Sequence, residues 1–285
     1  MKISLEILHQ CHLMSSFIKL VTIIKDEIFV IGDPQNGAFR ISVCDSNYPY
    51  HVKDVIPLPE IYPECMAACV VSNCVYILYR KRRSHIRILR ITRVGEHLFN
   101  ITPFLTDVWM PNPRPTLSVS ASGSLIFSRQ QKNELPVISI YNAEGSVQHQ
   151  IRMYADIPKF YEKIPRSNGN LVLVSANDQR QAILTEIDMD VTIIRQYQSS
   201  FQADMCALIN QADDCGRILV SDGLKRIELL DAEFNLLDIS GRPLDDGAFI
   251  SKQKLIYNRE RNEALSITCA SGRPVVLTIF RFREE

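Results

Sequence analysis

The chain has 285 residues, of which 46% are hydrophobic, and lysine plus arginine equals aspartate plus glutamate at 32 each. Such a composition fills a sizeable core and excludes an intrinsically disordered chain. The balanced charge excludes a global field that would draw in nucleic acid or acidic membrane, so any such attraction has to be local.

The first element in chain order is "KISLEIL", where Ile3, Leu5 and Ile7 alternate with Lys2, Ser4 and Glu6, the period of a half-buried strand. The wider segment up to Ile24 is interrupted by Glu6, His9, Gln10 and His12 and lacks a small-residue cleavage site, so it does not read as a signal peptide. No apolar run nears 18 residues, and no membrane-spanning helix is expected. The expectation is a cytoplasmic monomer without membrane contact.

From there short apolar runs recur. They start at Ile28 ("IFVI"), Val75 ("VYIL"), Leu125 ("LIF"), Leu171 ("LVLV"), Ile218 ("ILV") and Ala264 ("ALSI"), with gaps of 47, 50, 46, 47 and 46 residues. Each follows turn residues, among them "SN", "SG", "NG" and "DDCG", which supply the positive φ a tight hairpin needs. A second run follows each first one, and then a further turn opened by Asn or Asp, as in "YNAEGSVQHQI", "IDMDVTIIRQY" and "LDAEFNLLDIS". The repeating unit is four antiparallel strands in about 40 to 50 residues, the size of a propeller blade. The sixth copy ends one strand short, and residues 2–8 are placed to complete it. The expected fold is therefore all-β. It is a single six-bladed β-propeller with blades at about 13–61, 62–106, 107–157, 158–202, 203–244 and 245–285 plus 2–8.

At "GRILVSD" (Gly216 to Asp222) with Arg226-Ile227, and more partially at "GNLVLVSANDQR" (Gly169 to Arg180), the chain resembles the NHL-type six-bladed propellers. These occur alone or at the C-terminus of tripartite-motif ubiquitin ligases. The resemblance implies a recognition platform for protein or RNA.

No nucleophile elbow, phosphate loop, HExxH or GxGxxG motif occurs. Glu64, Glu162, Asp204 and Asp246 fall roughly one per blade near inner-strand starts. That arrangement could serve a cation in an axial channel, but the residues read as solvated loop positions. Of eight cysteines only Cys65, Cys69 and Cys74 cluster, without a fourth ligand at zinc spacing. A turn centred on Ser72-Asn73 makes Cys69 a diagonal neighbour of Cys74, too distant for a relaxed disulfide, so free and partly buried thiols are expected. No catalytic residue, metal site or cofactor is assigned.

Charge is unevenly placed. Residues 62–105 carry seven basic and two acidic side chains, whereas residues 203–242 carry four basic and eight acidic ones. The run "RKRRSHIR" reads as the loop between the second and third strands of blade two. Its Arg80, Lys81, Arg82, Arg83, His85 and Arg87 form a candidate docking patch for an anionic partner. Trp109 and Met110, in the proline-stiffened loop "VWMPNPRP", are a second candidate anchor. The expected function is a non-catalytic recognition module or scaffold with a protein partner. An RNA-binding propeller is the alternative, and a metal-dependent hydrolase ranks third.

Overall fold

The computed structural model describes residues 3–13, 18–24, 26–32, 39–45, 51–58, 62–82, 85–96, 98–109, 116–129, 135–154, 160, 162–202, 207–208, 216–221, 226–241, 250–258, 263–270 and 275–284. Every regular element among them is a β-strand, and no helix long and apolar enough to cross a membrane occurs among the described residues.

In chain order the strands are β1 (Ile3–Leu13), β2 (Ile18–Ile24), β3 (Glu27–Gly32), β4 (Arg40–Asp45), β5 (Val52–Pro57), β6 (Tyr62–Cys69), β7 (Cys74–Arg82) and β8 (His85–Arg93). There follow β9 (Phe99–Trp109), β10 (Thr116–Val119), β11 (Leu125–Arg129), β12 (Val137–Tyr141), β13 (Val147–Arg152), β14 (Glu162–Pro165), β15 (Leu171–Ala176) and β16 (Gln181–Ile187). The rest are β17 (Ile193–Gln202), β18 (Ala207–Leu208), β19 (Ile218–Ser221), β20 (Arg226–Leu230), β21 (Leu236–Gly241), β22 (Ile250–Asn258), β23 (Glu263–Ala270) and β24 (Val275–Glu284). They divide into two compact units, Lys19–Tyr161 with Met189–Val191, and Met1–Ile18 with Glu162–Asp188 and Thr192–Glu285.

The first unit holds three four-stranded sheets, β2–β5, β6–β9 and β10–β13, each with strands in sequence order. The consecutive apolar residues of β7 have a direct cause. Val75 and Ile77 pack with Phe29, Ile31, Ile41 and Val43 of the sheet before, while Cys74, Tyr76 and Leu78 pack with Leu117, Leu125 and Phe127 of the sheet after. A strand covered on both faces cannot afford an alternation with polar residues. Arginines tie neighbouring sheets together at their turns. Arg93 binds Glu27 at 2.5 Å, and Arg90 donates to the Ala143 carbonyl at 2.9 Å.

The second unit contains the sheets β14–β17 and β19–β21, and a sheet ordered β1-β24-β23-β22-β18. Its β1 pairs antiparallel with β24 from Ile3↔Glu284 to Leu13↔Val275, so the N-terminal segment does complete the last sheet. One detail departs from the four-strand unit. Ala207–Leu208 pairs parallel with Gln253 and Lys254 of β22, so the β19–β21 sheet has three strands among the described residues.

The Asn/Asp turns repeat down to single hydrogen bonds. Asn142, Asp188 and Asp231 each use Oδ1 to accept the N–H four residues on, from Ser146, Thr192 and Asn235 at 2.7–2.8 Å. The residue three after each has positive φ, 87° at Gly145 and 68° at both Val191 and Phe234. This is a type I turn with a bulge, which skews the outer strand one residue out of register in each case. At Val191 the sequence keeps this geometry without glycine, against the steric preference of a β-branched residue.

Candidate functional site

Antiparallel order puts the β7–β8 turn and the end of β9 at the same end of the β6–β9 sheet. The register there forms three adjacent rows. Pro63, Tyr79 and Arg87 make the first, Tyr62, Arg80, Ile86 and Val108 the second, and Arg82, His85 and Trp109 the third. Two candidates that the sequence separates by more than twenty residues thus become one location.

The placement corrects two expectations. Arg80, Lys81 and Arg82 are not loop residues: β7 extends through Arg82 and β8 begins at His85, so the basic residues stand on strands that overrun the core. Trp109 is likewise the last residue of β9, opposite His85, and no part of a proline loop. Arg83 and Met110 lie outside the described residues.

All three ladders of this sheet break register at this end, at Pro63/Cys65, Arg80/Arg82 and Ile86/Ile88. The inner ladders β3–β4, β10–β11 and β11–β12 run unbroken, whereas the outer ladders β4–β5, β12–β13 and β16–β17 each break register, the last also at the start of β16 between Gln181 and Ile183. Bulges re-aim side chains and gather next to sites for that reason. Arg80 is held by Glu64 through an ion pair of 2.7 Å, which orients its guanidinium. Tyr62, 58% exposed, meets Phe39 edge-to-face at 5.6 Å and brings an aromatic ring to the same end. Sequence reasoning missed Tyr62 and Glu64 as members of the site. Their only signal is cross-strand register with Arg80.

The other acid candidates do not assemble. Glu64 is engaged by Arg80, Glu162 accepts the Lys163 N–H at 3.1 Å, and Asp204 and Asp246 lie outside the described residues. Among the described residues no group of three or more His, Cys, Asp or Glu side chains is placed to hold a metal ion.

The hairpin register is a further correction. Cys69 faces Cys74 directly, because all four residues Val70–Asn73 form the turn, closed by the Asn73 N–H to the Val70 carbonyl at 3.2 Å with Asn73 at φ 46°. Both thiols are free, and they are fully rather than partly buried, at 0% and 1% exposure.

No protein-family model matches the chain, and no curated protein matches its sequence. Solved structures do. The PQQ-bound form of aldose sugar dehydrogenase from Streptomyces coelicolor superposes with a TM-score of 0.59 at 10% identity, covering 99% of each chain. A protein of unknown function from Dyadobacter fermentans gives a TM-score of 0.62 at 14% identity, over 98% of this chain and 99% of that one. Together with the succession of small antiparallel sheets, these matches establish a multi-bladed β-propeller. The propeller in the sequence resemblance stands, while its NHL type has no match behind it. The expected non-catalytic recognition module is contradicted by the first of these neighbours, an aldose sugar dehydrogenase, which is itself an enzyme.

Proposed function

We propose that the chain is an enzyme-type propeller that takes a small, polar, anionic ligand at the bulged end of the β6–β9 sheet. The observation that carries this is the register that puts Arg80 in one cross-strand row and Arg82, His85 and Trp109 in the next, with Lys81 at the bulge between them. Guanidinium groups match carboxylate and phosphate geometry, and the exposed Tyr62, in register with Arg80, offers an aromatic face to a ring or a sugar. Most of the remaining positive charge of the sheet is committed elsewhere, Arg90 to a carbonyl and Arg93 to Glu27 and Asp54. The basic positions Arg80, Lys81 and Arg82 follow one another at the end of β7, a short run that suits a compact anion better than an extended polyanion.

Sugar acids and sugar phosphates are the first ligand class to try, since the structural neighbour is an aldose dehydrogenase and the basic rows add a demand for charge. Calorimetry with glucose 6-phosphate and glucuronate, and with neutral glucose as control, tests the reading. Saturable binding of the charged sugars alone is expected, weakening as salt rises. Replacing Lys81, Arg82 and Arg83 by serine is expected to abolish it while changing stability by at most about 0.5 kcal/mol per site. Equal binding of glucose, or of the charged sugars to the triple variant, would overturn the proposal. An acidic peptide that binds where sugars do not would instead point to a protein partner.

A further inference from the structure

At the opposite end of the same sheet, where the β6–β7 turn lies, sits a second chemically distinct group. We propose that Cys69 and Cys74 form a peroxide-oxidisable dithiol that closes reversibly to a cross-strand disulfide. The proposed anion-binding end of the sheet plays no part in this, and the two readings stand or fall separately.

The geometry comes first. Residues directly opposite in an antiparallel pair have Cα atoms about 4.5–5.5 Å apart, within the range of about 4.4–6.8 Å that a disulfide spans. Cys69 and Cys74 occupy such a pair, so closure needs no slip of the strands. Cys65 lies four residues up β6, about 13 Å away along the strand, and does not compete. The turn above the pair is open to solvent, with Val71 67% exposed, so a molecule as small as hydrogen peroxide has a short path.

The two sulfurs are chemically unequal. Cys69 and Cys74 share a side-chain hydrogen bond, the Ser72 N–H donates to the Cys69 Sγ at 3.4 Å, and the Cys69 thiol in its protonated form donates to the Gly123 carbonyl at 3.7 Å. The bonds with Cys74 and Ser72 outweigh burial and bring the Cys69 thiol down to about 6, while the bond between the two thiols and burial push Cys74 up. Burial acting alone does the reverse, as at Cys44, raised to about 11. Arg90, paired with Tyr76 in register, adds positive charge nearby, and the buried Tyr76 hydroxyl beside Cys74 has no well-formed hydrogen bond of its own. A hydrogen-bonded thiolate next to a protonated thiol is the arrangement for attack followed by resolution.

The step balances with hydrogen peroxide as oxidant. The Cys69 thiolate attacks one peroxide oxygen, the O–O bond breaks, and the hydroxide that leaves is protonated to water. The Cys74 sulfur then displaces the hydroxyl of the Cys69 sulfenic acid as a second water, and the S–S bond forms. Two thiols lose two electrons in total, and one peroxide becomes two waters.

Peptide mapping of the full chain tests this. The tryptic peptide 54–80 contains Cys65, Cys69 and Cys74. After peroxide and alkylation it is expected to carry the alkyl group on Cys65 alone. It should have lost two hydrogens, yield no backbone fragments between positions 69 and 74, and recover both alkylation sites after dithiothreitol. In Cys74→Ser the sulfenic acid on Cys69 has no resolving thiol, and a dimedone adduct is expected there. Alkylation of both Cys69 and Cys74 after peroxide, or a bond involving Cys65, would overturn the proposal. The wild-type map decides this even if the serine variant fails to fold.

Discussion

Removing residues 1–13 is expected to abolish the cooperative unfolding of the unit formed with Glu162–Glu285, or to leave it aggregating. The whole of β1 is paired with β24, from Ile3↔Glu284 to Leu13↔Val275, with one bulge between Ile7 and His9. A ladder of that length loses several backbone hydrogen bonds at about 0.5–1.5 kcal/mol each, a total comparable to the entire stability of about 5–15 kcal/mol of a typical domain. It also leaves β24 as a ten-residue unprotected edge, a template for pairing with another chain. Thermal unfolding followed by circular dichroism, with light scattering alongside, reads both consequences. An unchanged midpoint with no aggregation would mean that β1 contributes nothing to the sheet it borders.

The second large effect is expected at Glu228. Its side chain is fully buried on β20, and its carboxylate accepts from the Tyr197 hydroxyl at 2.9 Å, the Ser200 N–H at 2.9 Å and the Ser200 hydroxyl at 2.5 Å. This joins β20 to β17 through a carboxylate whose desolvation is tolerable only because three donors converge on it. Glu228→Ala strands all three donors at once, and a loss of about 3–5 kcal/mol is expected. Glu228→Gln keeps the shape and an acceptor, so it should cost less. Urea unfolding of the three proteins at neutral pH checks the order, and an alanine variant as stable as wild type would remove Glu228 from the account. A pH dependence follows from the same contact. Burial, and then the bond to Glu228, raises the Tyr197 phenol above its ordinary value. Above about pH 10 the unfolded tyrosine releases its proton while the folded one keeps it, so stability falls as pH rises through that window. Tyr197→Phe should show a shallower alkaline decline than wild type.

What the sequence disclosed about the fold was what repeats along it. Apolar runs at 46–50-residue spacing marked inner strands because a strand covered on both faces, such as β7 or β15, has no room for polar alternation. Turn residues marked hairpins because Gly123, Gly169 and Gly216 do adopt φ between 77° and 90°. Register was less legible. The sequence "VVSNC" suggests a two-residue turn, yet four residues form it, since Asn73 bonds back to Val70, and that shift alone turns Cys69 from a diagonal neighbour of Cys74 into its partner. The short first strand expected before β19 was illegible for another reason: Ala207–Leu208 pairs with β22, a choice made by tertiary contacts.

The candidate site was half visible. The basic run and Trp109 stood out by composition, but their meeting depends on how far β7, β8 and β9 overrun the core, which no local signal encodes. Counting charge by segment also overstated the basic character of residues 62–105, because the acids facing Arg93 belong to the previous sheet, at Glu27 and Asp54. Function was misread for a more general reason. A propeller's shape is common to binding modules and enzymes, so a resemblance of motif could set the fold without setting the chemistry.

Hydrogen exchange measured with and without glucose 6-phosphate tests the central claim most directly, because it maps where the ligand sits without assuming which residues hold it. The account predicts slowed exchange confined to the backbone amides of residues 62–64, 80–87 and 105–109, where the four strands of the sheet meet, with the β6–β7 turn at Val70–Asn73 unaffected. Protection that appears in the sheets of residues 162–284 instead, with residues 80–109 exchanging at the same rate in both states, would contradict it.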